Sequence, residues 1–70
     1  MNGLTQIKDK DEILYDVQYD CDLQRFIVWE HDKLTVDGYY FTSEEMNYYI
    51  KDRQIQIIKD DNCVFKKHLI

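Results

Sequence analysis

Two cysteines and two histidines are the residues best suited to nucleophilic or metal chemistry, namely Cys21, His31, Cys63 and His68. Four such side chains could complete a structural zinc site, but no two of them stand at a spacing that such sites use. A dyad of Cys63 with His68, or of Cys21 with His31, would have to be assembled by the fold. The sequence therefore favours reduced thiols and surface histidines, predicts no metal, and leaves open whether the cysteines pair.

Carboxylates are the second group that could do chemistry, because the acids at 9, 11 and 12, and again at 20 and 22, resemble calcium ligands. A calcium loop needs glycine at its sixth position and glutamate at its twelfth, and neither run supplies them. The sequence also contains no phosphate-binding loop, G-x-S-x-G elbow or dinucleotide fingerprint. Since a domain of this size rarely encloses a pocket of about 300–1,000 Å³, we predict a protein that is not an enzyme and holds no cofactor.

The charge balance bears on nucleic acid as a partner. The chain has 9 basic and 14 acidic residues, for a net charge of -5, and Lys66 and Lys67 are its only adjacent basic pair. Direct binding of DNA or RNA needs clustered cations, so we predict none. The acids at 9, 11, 12, 16, 20 and 22 could instead present a negative surface to a protein that normally binds nucleic acid. The alternative is that they form the solvent face of a strand.

Tyrosine is the remaining signal, because four of the six tyrosines form the adjacent pairs Tyr39-Tyr40 and Tyr48-Tyr49. Neighbours point to opposite sides of a strand and diverge by about 100° on a helix, so one member of each pair should meet solvent. Exposed tyrosine beside acids is typical of protein interfaces, although Tyr48 could also lie over a neighbouring element with only its hydroxyl wet. The predicted protein-binding residues are Tyr40, Glu44, Tyr48, Lys51 and Asp52, together with the acids Asp16, Asp20 and Asp22.

The elements that position these residues begin with strands. Strict alternation over residues 13–20 predicts a half-buried strand, a polar break at 21–24 predicts a hairpin turn, and 25–30 reads as a more buried second strand. Residues 34–36 predict a short third strand that ends at Asp37-Gly38, a dipeptide suited to positive φ. Whether residues 39–41 continue that strand through a bulge or form the return arm of a small hairpin stays open.

A helix start is the clearest local signal. Thr42 and Glu45 have the spacing of a capping box, and Phe41 and Met46 the spacing of a hydrophobic staple. We predict a helix over 43–53, with Met46, Tyr49, Ile50 and Arg53 on one face and Glu44, Tyr48, Lys51, Asp52 and Ile55 on the other.

The segment after this helix is ambiguous. Residues 54–58 could continue the helix, but their β-branched residues favour a strand that forms a C-terminal hairpin with 63–65. The predicted fold is therefore α+β: one domain over residues 1–70 with a three-stranded antiparallel unit, one helix and a C-terminal β-hairpin.

Length and composition bound the class of protein. Seventy residues support one core at most, and no apolar run approaches the roughly 18–20 residues of a membrane-spanning helix. The polar start over residues 1–12 lacks the apolar stretch of a secretory signal, so we expect a cytoplasmic protein without membrane association. Alanine and proline are absent, while Ile, Lys, Asn, Tyr, Phe and Met supply 29 of the 70 residues. These types are encoded by AT-rich codons, which indicates a low-GC bacterium or one of its phages.

The whole profile is similar to that of small phage or mobile-element proteins that bind and block a host protein. We predict a non-enzymatic, acidic protein-binding module that inhibits a host nucleic-acid-handling or defence protein, with nucleic-acid charge mimicry as one contribution. Two alternatives stay open: an oligomeric binder of a small, nucleotide-like ligand in a tyrosine-lined pocket between subunits, and a structural or regulatory homodimer. Because so small a core supplies only about 3–5 kcal/mol, we also expect partial homodimerisation at micromolar concentration.

Overall fold

A five-stranded antiparallel sheet, with two helices packed on one of its faces, makes up the described part of the chain. The computed structural model describes residues 4–31, 33 and 38–69. The strands are β1 (Thr5–Lys8), β2 (Leu14–Asp20), β3 (Arg25–Glu30), β4 (Tyr39–Phe41) and β5 (Gln56–Asp60), and the helices are α1 (Ser43–Asp52) and α2 (Val64–His68). Their order across the sheet is β4-β3-β2-β1-β5. The predicted α+β class is confirmed.

The β2–β3 hairpin forms where the alternation predicted it. β2 begins at Leu14, one residue later than predicted, and β3 covers the predicted 25–30. Val17 lies opposite Val28, and Tyr19 lies opposite Phe26 with the two rings edge to face. These four side chains share the face of the sheet that the helices cover, because alternate residues of a strand point to the same side.

β4 pairs with β3 in antiparallel fashion, so residues 39–41 form a strand of the sheet, and their relation to the predicted strand at 34–36 stays open. The third strand predicted at 34–36 and the first residue of the Asp37-Gly38 turn lie outside the described residues. Gly38 itself is closely packed, since a Cβ placed there would lie 2.8 Å from Ile27 Cγ2 and 3.1 Å from the Val28 carbonyl oxygen.

The C-terminal hairpin is where sequence and structure differ. Residues 54–58 do leave the helix, and β5 begins at Gln56, but it pairs with β1, a strand that no sequence pattern indicated. Residues 63–65 do not return as a strand, because Val64 is the first residue of α2. The carboxylate of Asp60 explains the change, since it accepts hydrogen bonds from Val64 N at 2.8 Å and Phe65 N at 3.1 Å. A carboxylate at this place satisfies the unpaired donors of a helix start.

β5 is an edge strand with two features that protect edges. The register between β1 and β5 shifts by one residue, and Lys59 stands on the strand. Bulges and lysines both discourage pairing with another chain. Homodimerisation stays a prediction. The bulge and Lys59 disfavour pairing through β5, although Ile57 and Ile58 on this strand are about half exposed.

α1 begins at the predicted capping box. Glu45 N donates to Thr42 Oγ1 at 3.1 Å, and Thr42 N donates to Glu45 Oε1 at 2.8 Å. Phe41 packs against the cluster of buried residues that contains Met46, as the predicted staple requires. The helix ends at Asp52, one residue before the predicted end, with Arg53 as its C-cap.

The end of α1 is a Schellman turn built without glycine. Ile55 N donates to the Ile50 carbonyl at 3.0 Å, and Gln54 N donates to the Lys51 carbonyl at 3.4 Å. Gln54 is left-handed, with φ of 52°, a conformation that costs an L-residue roughly 1–2 kcal/mol and that glycine usually supplies.

Gln54→Gly should therefore raise the free energy of unfolding by about 1 kcal/mol, because relief of the left-handed strain exceeds the extra unfolded-state entropy of glycine. Urea melts of the variant would show a higher midpoint at an unchanged slope. Gln56→Gly is the matched control, since Gln56 lies in β5, where glycine should lower the midpoint. Equal shifts in both variants would contradict the assignment of strain to Gln54.

The core lies between the sheet and the two helices. Among the described residues it contains six buried apolar side chains: Ile7, Val17, Phe26, Val28, Met46 and Phe65. Phe26 and Phe65 stack at 5.6 Å, and Ser43 Oγ donates to the His68 carbonyl at 2.7 Å, which ties the start of α1 to the end of α2. Neither described helix has the length and apolar character needed to cross a membrane.

Candidate protein-binding surface

The outward side of α1 carries four of the predicted binding residues. Glu44, Tyr48, Lys51 and Asp52 are all exposed, and Tyr48 is 71% exposed. They face solvent because α1 turns Met46, Tyr49 and Ile50 toward the sheet, and residues three or four positions apart on a helix share a face. We refer to these four residues as the α1 face.

A groove runs beside the α1 face, between α1 and the sheet. It has a volume of about 680 Å³. Tyr39 and Tyr48 stand at its rim, 64% and 71% exposed, and half-buried aromatic rings form its floor. We call this the aromatic groove; it is lined by Tyr15, Tyr39, Phe41, Glu45, Tyr48, Tyr49, Asp52 and Arg53.

The floor of the aromatic groove is rigidly held. Phe41 and Tyr49 stack with their ring centroids 4.9 Å apart, which joins β4 to α1. The Tyr15 hydroxyl donates to Asp9 Oδ2 at 3.1 Å. Asp9 is only 6% exposed, and its Oδ1 also accepts from Asp11 N at 2.9 Å and Ile13 N at 3.1 Å. The Asp9 carboxylate thus fixes both the 9–13 turn and one ring of the floor.

The charges around the floor follow from these contacts. Burial acts to raise the pKa of Asp9, but the hydrogen bonds from Ile13, Asp11 and Tyr15, with the nearby Arg53, hold it below its ordinary value. Burial and the hydrogen bond to Asp9 raise the pKa of Tyr15. At the rim, the hydrogen bonds from Thr42 lower the pKa of Glu45. At neutral pH Asp9 is therefore a charged carboxylate, and the tyrosine hydroxyls of the floor above it are uncharged.

Tyr40 lies on the other face of the sheet. It is 53% exposed and stands opposite Ile27 on β3, whereas its neighbours Tyr39 and Phe41 point toward the helices. The fold therefore separates Tyr40 from Tyr48 and brings Tyr39 to Tyr48 instead. Tyr39 was not among the predicted residues, because the alternation of the pair does not say which member faces the helix.

The predicted acids of β2 and its turn form a second group, away from the aromatic groove. Asp16 is half-buried on the open face of the sheet, where its carboxylate lies 3.0 Å from both Gln6 Nε2 and His31 Nδ1. Asp20 Oδ1 accepts from Asp22 N and Leu23 N, so it stabilises the hairpin turn, and Asp22 is exposed in that turn. The fold thus gives Asp16 and Asp20 internal partners.

The cysteines and histidines are dispersed. Both thiols are exposed and free, and no group of three potential metal ligands occurs among the described residues. Cys21 lies in the β2–β3 turn while His31 lies beyond the far end of the same hairpin, where its backbone N–H donates to the Leu14 carbonyl. The His68 ring stacks on Tyr19 at 3.7 Å, beside a second groove of about 560 Å³.

Comparison with protein-family models, with curated proteins and with solved structures finds no match to this chain.

Proposed function

We propose that this protein is a non-enzymatic binding module that occupies the surface of a partner protein with its aromatic groove and α1 face. The observation that carries the proposal is the pair Tyr39 and Tyr48, both more than 60% exposed on the rim of a groove with an aromatic floor. Tyrosine brings a large contact area at a small cost in conformational entropy, and such residues dominate the energy of interfaces.

The architecture supports this use of the surface. The rim tyrosines stand on a helix and a strand whose packing is fixed by the Phe41–Tyr49 stack and the capping box, so little ordering is needed on binding. Glu44, Lys51 and Asp52 surround Tyr48 with exposed charge, which resembles the polar rim of an interface.

The class of partner follows from charge and composition. A net charge of -5 favours association with a basic surface, and proteins that handle nucleic acid carry such surfaces. The high content of residues encoded by AT-rich codons is typical of low-GC bacteria and their phages. We therefore propose an inhibitor of a host nucleic-acid-handling or defence protein, in which acids such as Asp22 and Glu44 steer the encounter and the tyrosines hold the complex.

Site-specific photo-crosslinking tests which surface binds. A photoreactive phenylalanine analogue is placed at Tyr48, at Tyr40 on the opposite face, and at Leu23, which is 54% exposed at the hairpin turn. In lysate of a low-GC bacterium, position 48 should give one predominant protein adduct, and position 23 should give none. An adduct from position 40 alone, or from no position, would contradict the proposal.

Tyr48→Ala should raise the off-rate from the captured partner about 30-fold, which corresponds to about 2 kcal/mol, with little dependence on salt. Asp22→Asn should mainly lower the on-rate, and this effect should fade as salt rises above about 0.15 M. Biosensor kinetics at two salt concentrations separate the two contributions. An unchanged off-rate in Tyr48→Ala would show that the partner contacts another face.

A further inference from the structure

We propose that the aromatic groove binds the guanidinium of an arginine side chain presented by the partner. This inference rests on the proposed function, since the arginine belongs to the protein that the groove receives. It goes further by naming the chemical group that the groove recognises and the residues that recognise it.

The rings supply the first part of the argument. Tyr39 and Tyr48 are exposed on the two sides of the groove, one on β4 and one on α1, with the Phe41–Tyr49 stack between these elements. A cation over the face of a tyrosine gains about 0.5–1 kcal/mol at an exposed site. The guanidinium is planar and weakly hydrated, so it stacks on such rings better than an ammonium does.

Carboxylates at the rim supply the second part. The Asp52 side chain is 83% exposed, and its Oδ2 lies 3.9 Å from Arg53 Nε, which is beyond hydrogen-bond distance. Its oxygens are therefore accessible to the paired donors of a guanidinium. Glu45 lies two turns of α1 earlier, about 10 Å along the helix, and its second carboxylate oxygen adds to the negative potential of the same rim.

Arg53 is a basic residue that lines the groove, and the buried carboxylate of Asp9 partly compensates its charge. Its attraction helps to hold the Asp9 carboxyl in the charged form, and Asp9 is buried against Tyr15 on the floor. Of the residues that line the groove, Glu45 and Asp52 are acidic and Arg53 is basic, so the lining carries an excess of one negative charge. A volume of about 680 Å³ accommodates a long side chain with part of its backbone.

Titration with n-butylguanidinium, followed by the NMR signals of the tyrosine rings, tests the inference directly. The neutral isostere n-butylurea is the matched probe, because it keeps the shape and the alkyl chain and lacks the charge. We expect shifts confined to the rings of the aromatic groove and an affinity about tenfold higher for n-butylguanidinium than for n-butylurea. Equal affinity of the two probes, or shifts centred outside the groove, would overturn the inference.

Variants assign the affinity to the named residues. Tyr48→Leu should lower the affinity for n-butylguanidinium several-fold, whereas Tyr48→Phe, which keeps the ring, should retain it. Asp52→Asn should weaken binding as well, while Asp61→Asn, an exposed aspartate after β5, should not. Retention of full affinity in both Tyr48→Leu and Asp52→Asn would refute the assignment.

The two proposals fail in different ways. An adduct from position 48 combined with equal affinities for the two probes would support the protein-binding function and refute the recognition of arginine. Selective binding of n-butylguanidinium without an adduct at any position would support the guanidinium site and refute the proposed protein partner.

Discussion

Asp9→Ala should lower the free energy of unfolding by about 3 kcal/mol, although the residue lies in a turn. The substitution removes a nearly buried carboxylate that accepts from two backbone N–H groups and from the Tyr15 hydroxyl. Hydrogen bonds to a charged group contribute more than neutral ones, and the substitution takes this acceptor from three donors at once. Urea unfolding measures the loss, and a change below about 0.5 kcal/mol would contradict this account.

Asp9→Asn removes the charge of Asp9 but keeps the shape of its side chain, and it therefore tests how that charge makes stability depend on pH. Since the folded-state pKa of Asp9 lies below its ordinary value of 3.8, the charged form contributes stability that is complete above that ordinary value. This stability is lost as pH falls through the lowered folded-state pKa. Wild-type protein should therefore lose more stability than Asp9→Asn over this acid range. Parallel pH profiles of the two proteins would show that the charge of Asp9 has no such role.

Asp60→Ala should cost a similar amount, about 3 kcal/mol, because one side chain holds three elements together. Its carboxylate accepts from Val64 N and Phe65 N at the start of α2 and from Thr5 Oγ1 on β1 at 2.9 Å. Thr5 is only 2% exposed, so its hydroxyl would be left buried without this acceptor.

The neighbouring acid supplies the control for this prediction. Asp61→Ala removes an exposed carboxylate that accepts from Leu4 N at 3.2 Å and should cost less than about 1 kcal/mol. In Asp60→Ala the amide signals of α2 should lose protection from hydrogen exchange before those of β2. Equal losses of stability in the two variants would refute the capping role of Asp60.

Local signals were sufficient for the parts of the fold whose determinants are close in sequence. The alternation over 13–20 and the reciprocal spacing of Thr42 and Glu45 each specify an element within a few residues, and β2, β3 and α1 formed accordingly. The determinants of β1 are remote, since it pairs with β5 near the other end of the chain, whereas the cap of α2 is close in sequence and competes with strand propensity. Val64 and Phe65 favour a strand by propensity, and only contact with Asp60 and the core turns them into a helix.

The residues of the candidate site likewise divide into those that local sequence patterns predict and those that depend on the fold. The helical wheel was sufficient to place Tyr48 and its charged neighbours on an exposed face. It could not say that Tyr39, rather than Tyr40, would face Tyr48, because that depends on which side of the sheet receives the helices. Asp9 looked like one of several surface acids, and only the return of the 9–13 turn over Tyr15 buries it.

The small core has a consequence for how the protein responds to temperature. A chain of 70 residues buries a smaller fraction of its surface than a larger domain does, so the heat capacity change should fall below the roughly 12–15 cal/mol/K per residue of average domains. The unfolding entropy of so short a chain is also small, and each kcal/mol gained or lost moves the melting temperature by roughly 4–8 °C. A single turn residue, or a bound partner, should therefore move the melting temperature of this chain by many degrees.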